Sequence, residues 1–304
     1  MVQKSQVAII GAGPAGIASA IYLHRAGRAP LLLEQGEPGG LLRNANLVEN
    51  YPGFPGGIKG PDLVHQFKKQ LDMLGIRITR TKVESVEALR GSFRIVATSG
   101  TFSANSLIIA TGTRAKSLSL PGSAKLAGER IFTEIVDMPL SQIPGKRVVI
   151  IGGGDAAFDY GLNLAERGAD VRIVSRSEPD CISLLRARAD ASGIDIIVGS
   201  TANRIRKVQD EVSVRCRSDK GGVELLADYV LIACGREPNI DILSESLRRR
   251  IGSRERIPDT RVPGLFMAGD VVRGIHRQTA IAVGDGVRAG MMADEFLRKA
   301  EASR

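Results

Sequence analysis

Apolar residues along this chain follow two rhythms. Some short runs are apolar at nearly every position: Val7-Ala8-Ile9-Ile10, Leu31-Leu32-Leu33, Leu107-Ile108-Ile109-Ala110, Val148-Val149-Ile150-Ile151, Val171-Arg172-Ile173-Val174 and Val230-Leu231-Ile232-Ala233. Their length and β-branched content predict strands buried on both faces. Other stretches alternate, as in Phe93-Arg94-Ile95-Val96 and Val212-Ser213-Val214-Arg215-Cys216, and these predict half-exposed strands of hairpins. The first strand, Gln6 to Ile10, runs into a glycine-rich turn and then a helical stretch through Leu23. The strand at Arg147 to Ile151 does the same, with its helix running to about Arg167 before Gly168. Strand, glycine turn, helix, strand therefore occurs twice, and the two halves form an internal repeat in outline.

The glycine spacing has a physical reading. In Gly11-Ala12-Gly13-Pro14-Ala15-Gly16, Gly11 permits a tight turn, Gly13 lets a pyrophosphate approach bare backbone, and Gly16 lets helix and strand pack closely. The helix N-terminus offers unpaired N–H groups to the phosphates. Glu34, 23 residues after Gly11, is spaced to accept hydrogen bonds from ribose hydroxyls and to repel a 2'-phosphate. The second turn, Gly152-Gly153-Gly154-Asp155-Ala156-Ala157, is followed by Ser175-Arg176-Ser177 where the first copy has Glu34. An arginine with two hydroxyls suits a ribose bearing a 2'-phosphate, which favours NADP(H) over NAD(H). Two dinucleotide sites of opposite character imply a reaction between two bound dinucleotides; the alternative is one working site and one relic kept for packing. The expected fold class is α/β, with two Rossmann-like dinucleotide-binding domains.

Composition narrows the picture further. A chain of 304 residues is long enough for two domains, and its 35 glycines cluster without period, which excludes collagen-like and low-complexity architectures. No apolar run approaches the length of a membrane span, and the early first strand leaves no room for a signal peptide, so a cytoplasmic location is expected. Three cysteines, Cys181, Cys216 and Cys234, are widely spaced and predict neither a disulfide framework nor a metal cluster. A formal charge of +9 favours anionic partners. With no Trp and 4% aromatic content, the chain has few stacking platforms for single-stranded nucleic acid, so nucleotides or an acidic protein are the expected partners. The basic run Arg248, Arg249, Arg250, Arg254 and Arg256 reads as a solvated surface.

Further segments extend the pattern: Gly39-Gly40, Val48-Glu49-Asn50-Tyr51-Pro52-Gly53, Ala110-Thr111-Gly112, Pro263 through Asp270, and Arg277-Gln278-Thr279-Ala280. Together with the two glycine turns they make the sequence resemble the low-molecular-weight thioredoxin reductase family over nearly its whole length. The resemblance implies three-layer ββα domains, with an FAD domain of residues 1–113 and 243–304 and an NAD(P)H domain, 114–242, inserted into it. It also implies a homodimer. For FAD it implies contacts from Gly11, Gly13, Pro14, Ala15, Gly16, Glu34 and Gln35. Gly40 and Asn50 would lie near the flavin, Val83 against the adenine, and Ala110, Thr111 and Gly112 alongside. Gly269 and Asp270 would hold the ribityl chain, while Gln278 and Thr279 would present N–H groups to the flavin pyrimidine edge. For NADPH it implies Gly152, Gly154, Asp155, Ala156, Ser175, Arg176 and Ser177, with NADH as the alternative.

The sequence also departs from the family. Where the resemblance places a redox-active Cys-x-x-Cys, this chain has Ile135-Val136-Asp137-Met138, with Ile135 and Met138 at the dithiol positions. Cys216 and Cys234 fall on expected strands and read as small core or sheet residues, and Cys181 as an incidental thiol. Of the arginines the family uses on the 2'-phosphate, Arg176 alone is matched. His24 and His65 read as helix surface residues, whereas His276 is a candidate proton donor beside the flavin. The expectation is an FAD-dependent NAD(P)H oxidoreductase that passes electrons outward without an internal dithiol. Its acceptor would be ferredoxin, flavodoxin, a quinone or a small disulfide. A cysteine that bacillithiol-disulfide reductases carry in the first glycine turn is Ala15 here, which disfavours that disulfide. The alternative is a non-catalytic flavin-binding redox sensor.

Overall fold

A computed structural model describes residues 2–116, 118–219, 221–251 and 260–303; Arg254 and Arg256 of the basic run lie outside them. The chain divides into two compact units, one of Met1–Arg43, Val48–Arg114 and Glu237–Arg304, the other of Asn44–Leu47 and Ala115–Arg236.

The first unit opens with β1 (Val2–Ile10), α1 (Pro14–Arg25), β2 (Leu31–Glu34), α2 (Gly60–Met73) and β3 (Ile78–Arg80). The meander β4 (Val83–Leu89), β5 (Ser92–Ala97) and β6 (Gly100–Ile109) follows. The sheet order is β3-β2-β1-β6-β5-β4. β1 begins four residues before the expected Gln6 because Val2–Ser5 pair in parallel with Thr101–Ala104, a partnership that only the fold supplies. The continuous apolar runs are explained by burial on both faces. Val7, Ile9 and Leu32 pack with Ile17, Leu23 and Leu71 of the helices. Ala8, Ile10 and Leu33 pack with Val86, Phe93 and Ile95 of the meander.

A short β7 (Thr113–Ala115) leads into the second unit, which contains β8 (Ile131–Phe132), β9 (Arg147–Ile151), α3 (Asp155–Glu166), β10 (Asp170–Val174), α4 (Ser183–Ala191) and β11 (Asp195–Ile197). Then come β12 (Thr201–Val208), β13 (Glu211–Ser218), β14 (Gly221–Ala227) and β15 (Tyr229–Ile232). The parallel sheet runs β11-β10-β9-β15-β8, and β12-β13-β14 stand as a separate antiparallel sheet. The two-faced burial repeats here. Val148 and Ile150 meet Phe158 and Leu164 of α3, while Val149 and Ile151 meet Ile205, Val214 and Leu225. The chain returns through β16 (Arg236–Pro238), α5 (Glu245–Arg250), β17 (Leu265–Met267) and the long α6 (Thr279–Ala302). β17 pairs with β6, and β16 pairs with β7. Arg248, Arg249 and Arg250 are exposed on α5.

The unit boundaries differ from the expected 113/114 and 242/243. The return crossing comes earlier because 237–243 is bound to the first unit: Asn239 N donates to Gly112 O at 3.0 Å and Val86 N to Ile242 O at 2.7 Å. Four residues from the N-terminal part also belong with the second unit. Asn44 Nδ2 donates to Glu134 Oε2 and Val136 N to Asn44 Oδ1, at 2.9 and 3.1 Å. Asn46 donates through its backbone N to Asp159 and through Nδ2 to Glu166, both at 2.9 Å.

Candidate dinucleotide sites

In the first unit each glycine of the turn has a separate task. Gly11 has φ +103°, and a Cβ there would stand 2.4 Å from Ala110 O. A Cβ on Gly16 would stand 1.8 Å from Gly11 O, so only glycine lets α1 start this close to β1. At Gly13, by contrast, a Cβ would meet nothing within 4 Å. The backbone there opens onto free space at the N-terminus of α1, where an anion is favoured by the amides and the helix dipole. Pro14 and Ala15 begin that helix; Pro14 has no N–H of its own, and no N-cap side chain takes up the amides that follow.

Glu34 ends β2 beside this turn. Its carboxylate accepts from Ala12 N at 2.7 Å and from Gly36 N at 2.9 Å, which fixes it at the turn. An open cavity of about 170 Å³ lies alongside, lined by Gly11, Glu34, Gln35, Lys82, Val83 and Thr111 among others. Five of the residues expected at FAD, Gly11, Glu34, Gln35, Val83 and Thr111, thus line one cavity. Thr111 is held from the returning chain: its Oγ1 donates to Asn239 O at 2.6 Å, and Asn239 Nδ2 donates to Thr111 O at 3.1 Å. Ala110 is buried beneath the turn, and Gly112 has φ +62°.

Of the remaining expected contacts, Gly40 and Gly269 stand against this turn and the start of its helix. Gly39 N donates to Ala12 O at 2.8 Å, and a Cβ on Gly40 would lie 3.3 Å from Gly13 Cα. Asn50 Nδ2 donates to Gln278 Oε1 at 2.8 Å, which joins two expected flavin neighbours 228 residues apart in sequence. Gln278 precedes Thr279 at the N-terminus of α6. Gly269, at φ +79°, begins the short turn that carries Asp270, and a Cβ there would stand 2.8 Å from the Cβ of Ala15. The turn is fastened by Asp285, a buried carboxylate on α6 that accepts from Gly269 N at 3.3 Å and from Arg273 Nε at 2.8 Å. His276 is exposed in the preceding loop, its N donating to Arg273 O. The donors, the bare backbone and the cavity fit a dinucleotide such as FAD.

The second turn is built alike. Gly152 has φ +152°, with a Cβ position 2.4 Å from Ala233 O, and Gly153 is required by Ser175, whose Oγ would stand 2.3 Å from a Cβ. Ser175 is buried, and its Oγ donates to Ser177 O at 2.7 Å, so this hydroxyl serves the loop; Arg176 and Ser177 are exposed. Asp155 and Ala156 open α3, and Asp155 Oδ1 accepts from Ile182 N at 2.8 Å. Asp180 N donates to Gly153 O at 3.0 Å, and its Oδ1 lies 3.4 Å from where a Cβ on Gly154 would stand. Asp180, Asp285 and Asn239 escaped the sequence reading, because each acts through a loop or helix that is adjacent only after folding.

Ile135 and Met138 are 2% and 5% exposed and pack in an apolar cluster with Phe132, Ile143 and Phe158. The three cysteines are free. Cys216 is buried on β13, and burial pushes its thiol up to about 11. Cys234 is neither the core nor the sheet residue expected: it is exposed and lies just beyond β15, its Sγ donating to Ile151 O at 3.3 Å. Cys181 is half-buried in the loop before α4, and burial, then the negative charge of Asp155, push its thiol up. Among the described residues no group of three or more His, Cys, Asp or Glu could hold a metal ion, and no helix is long and apolar enough to cross a membrane.

Two Rossmann-like units, each with a glycine turn at a strand–helix junction, define an α/β protein of the two-dinucleotide oxidoreductase class. The chain belongs to the pyridine nucleotide-disulphide oxidoreductase family, whose match spans residues 5–286. It is 34% identical to a thioredoxin reductase of Chlamydia pneumoniae over 316 residues, covering 96% of this chain and 99% of that one. It is 32% identical to the thioredoxin reductase of Bacillus subtilis (strain 168) over 305 residues, covering 96% and 95%. The crystal structure of Lactococcus lactis thioredoxin reductase matches with a TM-score of 0.89 at 30% identity, covering 97% and 99%. Within its family, then, the chain is an oxidoreductase of the thioredoxin reductase type.

Proposed function

We propose that this chain is an FAD-dependent NAD(P)H oxidoreductase that delivers electrons to an external acceptor with no internal dithiol relay. The observation that carries the reading is the pair Ile135 and Met138, buried in apolar core at the positions where the resemblance places the redox cysteines. The cysteines present, at 181, 216 and 234, lie on other elements.

FAD, when bound, supplies a two-electron acceptor for a reduced nicotinamide that can release electrons singly or in pairs. Glu34 would accept from its adenosine ribose, the open backbone at Gly13 would admit its diphosphate, and Val83 would lie at its adenine. Gln278 and Thr279 open α6, whose positive N-terminal end favours negative charge on whatever lies against it. In the second unit Arg176 makes NADPH the first choice of reductant, with NADH the alternative. The +9 charge favours an acidic one-electron carrier, such as ferredoxin or flavodoxin, over a quinone or a small disulfide.

Anaerobic titration of the FAD-loaded protein tests this. The flavin band is expected to bleach with NADPH or NADH, while the number of thiols reactive with Ellman's reagent stays the same before and after reduction. A gain of two thiols, or reduction of a disulfide that depends on added thioredoxin, would reinstate a dithiol relay. No bleaching with either nucleotide would instead make the protein a non-catalytic flavin-binding module.

A further inference from the structure

The two glycine turns allow a comparison inside one molecule. Gly11 N donates to Leu33 O, and Gly152 N to Val174 O, so the turns stand in the same relation to their second strands. The residue after the first glycine accepts one further bond in each: Ala12 O from Gly39 N at 2.8 Å, and Gly153 O from Asp180 N at 3.0 Å. By that shared bond Asp180 occupies in the second unit the place of Gly39 in the first. At the next position the turns diverge. Nothing lies within 4 Å of a Cβ on Gly13, whereas a carboxylate oxygen of Asp180 lies 3.4 Å from one on Gly154. Gly154 is the N-cap of the 12-residue α3, so the carboxylate stands at the start of the helix whose first amides favour an anion such as a diphosphate.

From this we infer that Asp180 is an affinity-determining residue of the second site: its carboxylate is a resident anion that the diphosphate of an incoming pyridine nucleotide must displace. The inference rests on the reading above that this site takes a pyridine nucleotide. Asp180 is held in place by its own backbone bond to Gly153 and by the bond from Ile182 N to Asp155 two residues further on. Charge in the loop does not compensate: between Ser175 and Ile182 the chain carries Arg176 against Glu178 and Asp180, and Arg186 beyond it on α4 is paired with Asp190. Bringing a diphosphate against this carboxylate adds like-charge repulsion at the point where the first site offers bare backbone. The site gives up affinity, and reduced and oxidised nucleotides leave it more readily.

The substitution Asp180→Asn keeps size and the backbone bond while removing the charge. In the FAD-loaded protein, calorimetric titration with ADP-ribose is expected to show a Kd at least about five-fold lower than in the wild type, the scale of one unit-charge repulsion near a partly solvated site. The KM for NADPH and NADH is expected to fall with it. Glu178→Gln removes an equally exposed charge two residues away and is expected to change Kd much less. An unchanged or higher Kd in Asp180→Asn overturns the inference, and so does an equal gain in Glu178→Gln, which would make the effect one of loop charge alone. If ADP-ribose binds to neither protein and the flavin is not reduced by either nucleotide, the nucleotide reading of the site falls, and this inference with it. An unaltered thermal midpoint in both variants shows that the fold is kept.

Discussion

Asp285 shows how much one side chain carries. It is 5% exposed, yet it is charged, and it is tolerated because it accepts from the Gly269 amide and from two nitrogens of Arg273. The bond from Arg273 to the Asp285 carboxylate raises the guanidinium above its ordinary value. The bonds to Asp285 also fix the turn that presents Asp270 and brings Gly269 against Ala15 at the first helix. Replacing Asp285 with Ala would leave a buried amide and a half-buried cation without an acceptor, at a cost of about 2 kcal/mol. The expected outcome is a lower unfolding midpoint and a reduced flavin-to-protein absorbance ratio after desalting. Asp285→Asn, which keeps an acceptor for Gly269 N, should fall between. Wild-type flavin retention in Asp285→Ala would remove this residue from the account.

At the level of elements, the repeated halves differ where a strand continues or breaks. β6 is unbroken and serves both the meander and the parallel sheet, whereas its counterpart is split into β14 and β15 at Asp228. Burial alone would push the Asp228 carboxyl up, but the bond from Arg147 N at 2.9 Å and the nearby Lys146 and Arg147 charges bring it below the ordinary carboxylate range. A carboxyl lowered on folding adds stability above its unfolded value, near pH 4, and that stability is lost as pH falls through the lower folded value. Unfolding of the protein should therefore become easier below about pH 4, and Asp228→Asn should be less stable at pH 7 with a flatter acid dependence. Urea titrations at both pH values measure this; equal slopes in the two proteins would refute it. The strand–turn–helix units were legible in the sequence because the spacing of Gly11, Gly13, Gly16 and Glu34 encodes local geometry. The start of β1 at Val2, the break at Asp228, the membership of Asn44–Leu47 in the second unit and the approach of Asp180 to Gly154 were not. Each depends on a partner brought near only by long-range pairing or by a loop folding back.

For the whole molecule, the balance of charge decides which acceptors arrive quickly. The excess of nine positive charges includes a cluster on the outward side of the β12-β13 pair, where Arg204 stands directly opposite Arg215, Arg206 opposite Ser213, and Arg217 opposite Thr201. All four arginines are exposed, and like charges placed directly across a ladder repel. Glu224, opposite Arg215, offsets part of this; the Ser213 hydroxyl and then Arg206 hold its carboxyl below the usual range. A field of this sign accelerates encounter with an acidic carrier and leaves a neutral quinone unaffected. The kcat/KM for ferredoxin or flavodoxin should therefore fall about ten-fold or more as salt shortens the Debye length from about 30 Å at 0.01 M to about 8 Å at 0.15 M, while quinone reduction stays level. Arg204→Gln with Arg215→Gln should flatten the salt dependence without changing the rate at which NADPH bleaches the flavin. Parallel salt curves for the acidic carrier and the quinone would mean that charge does not select the acceptor, and a flat curve for both would point to a small uncharged oxidant.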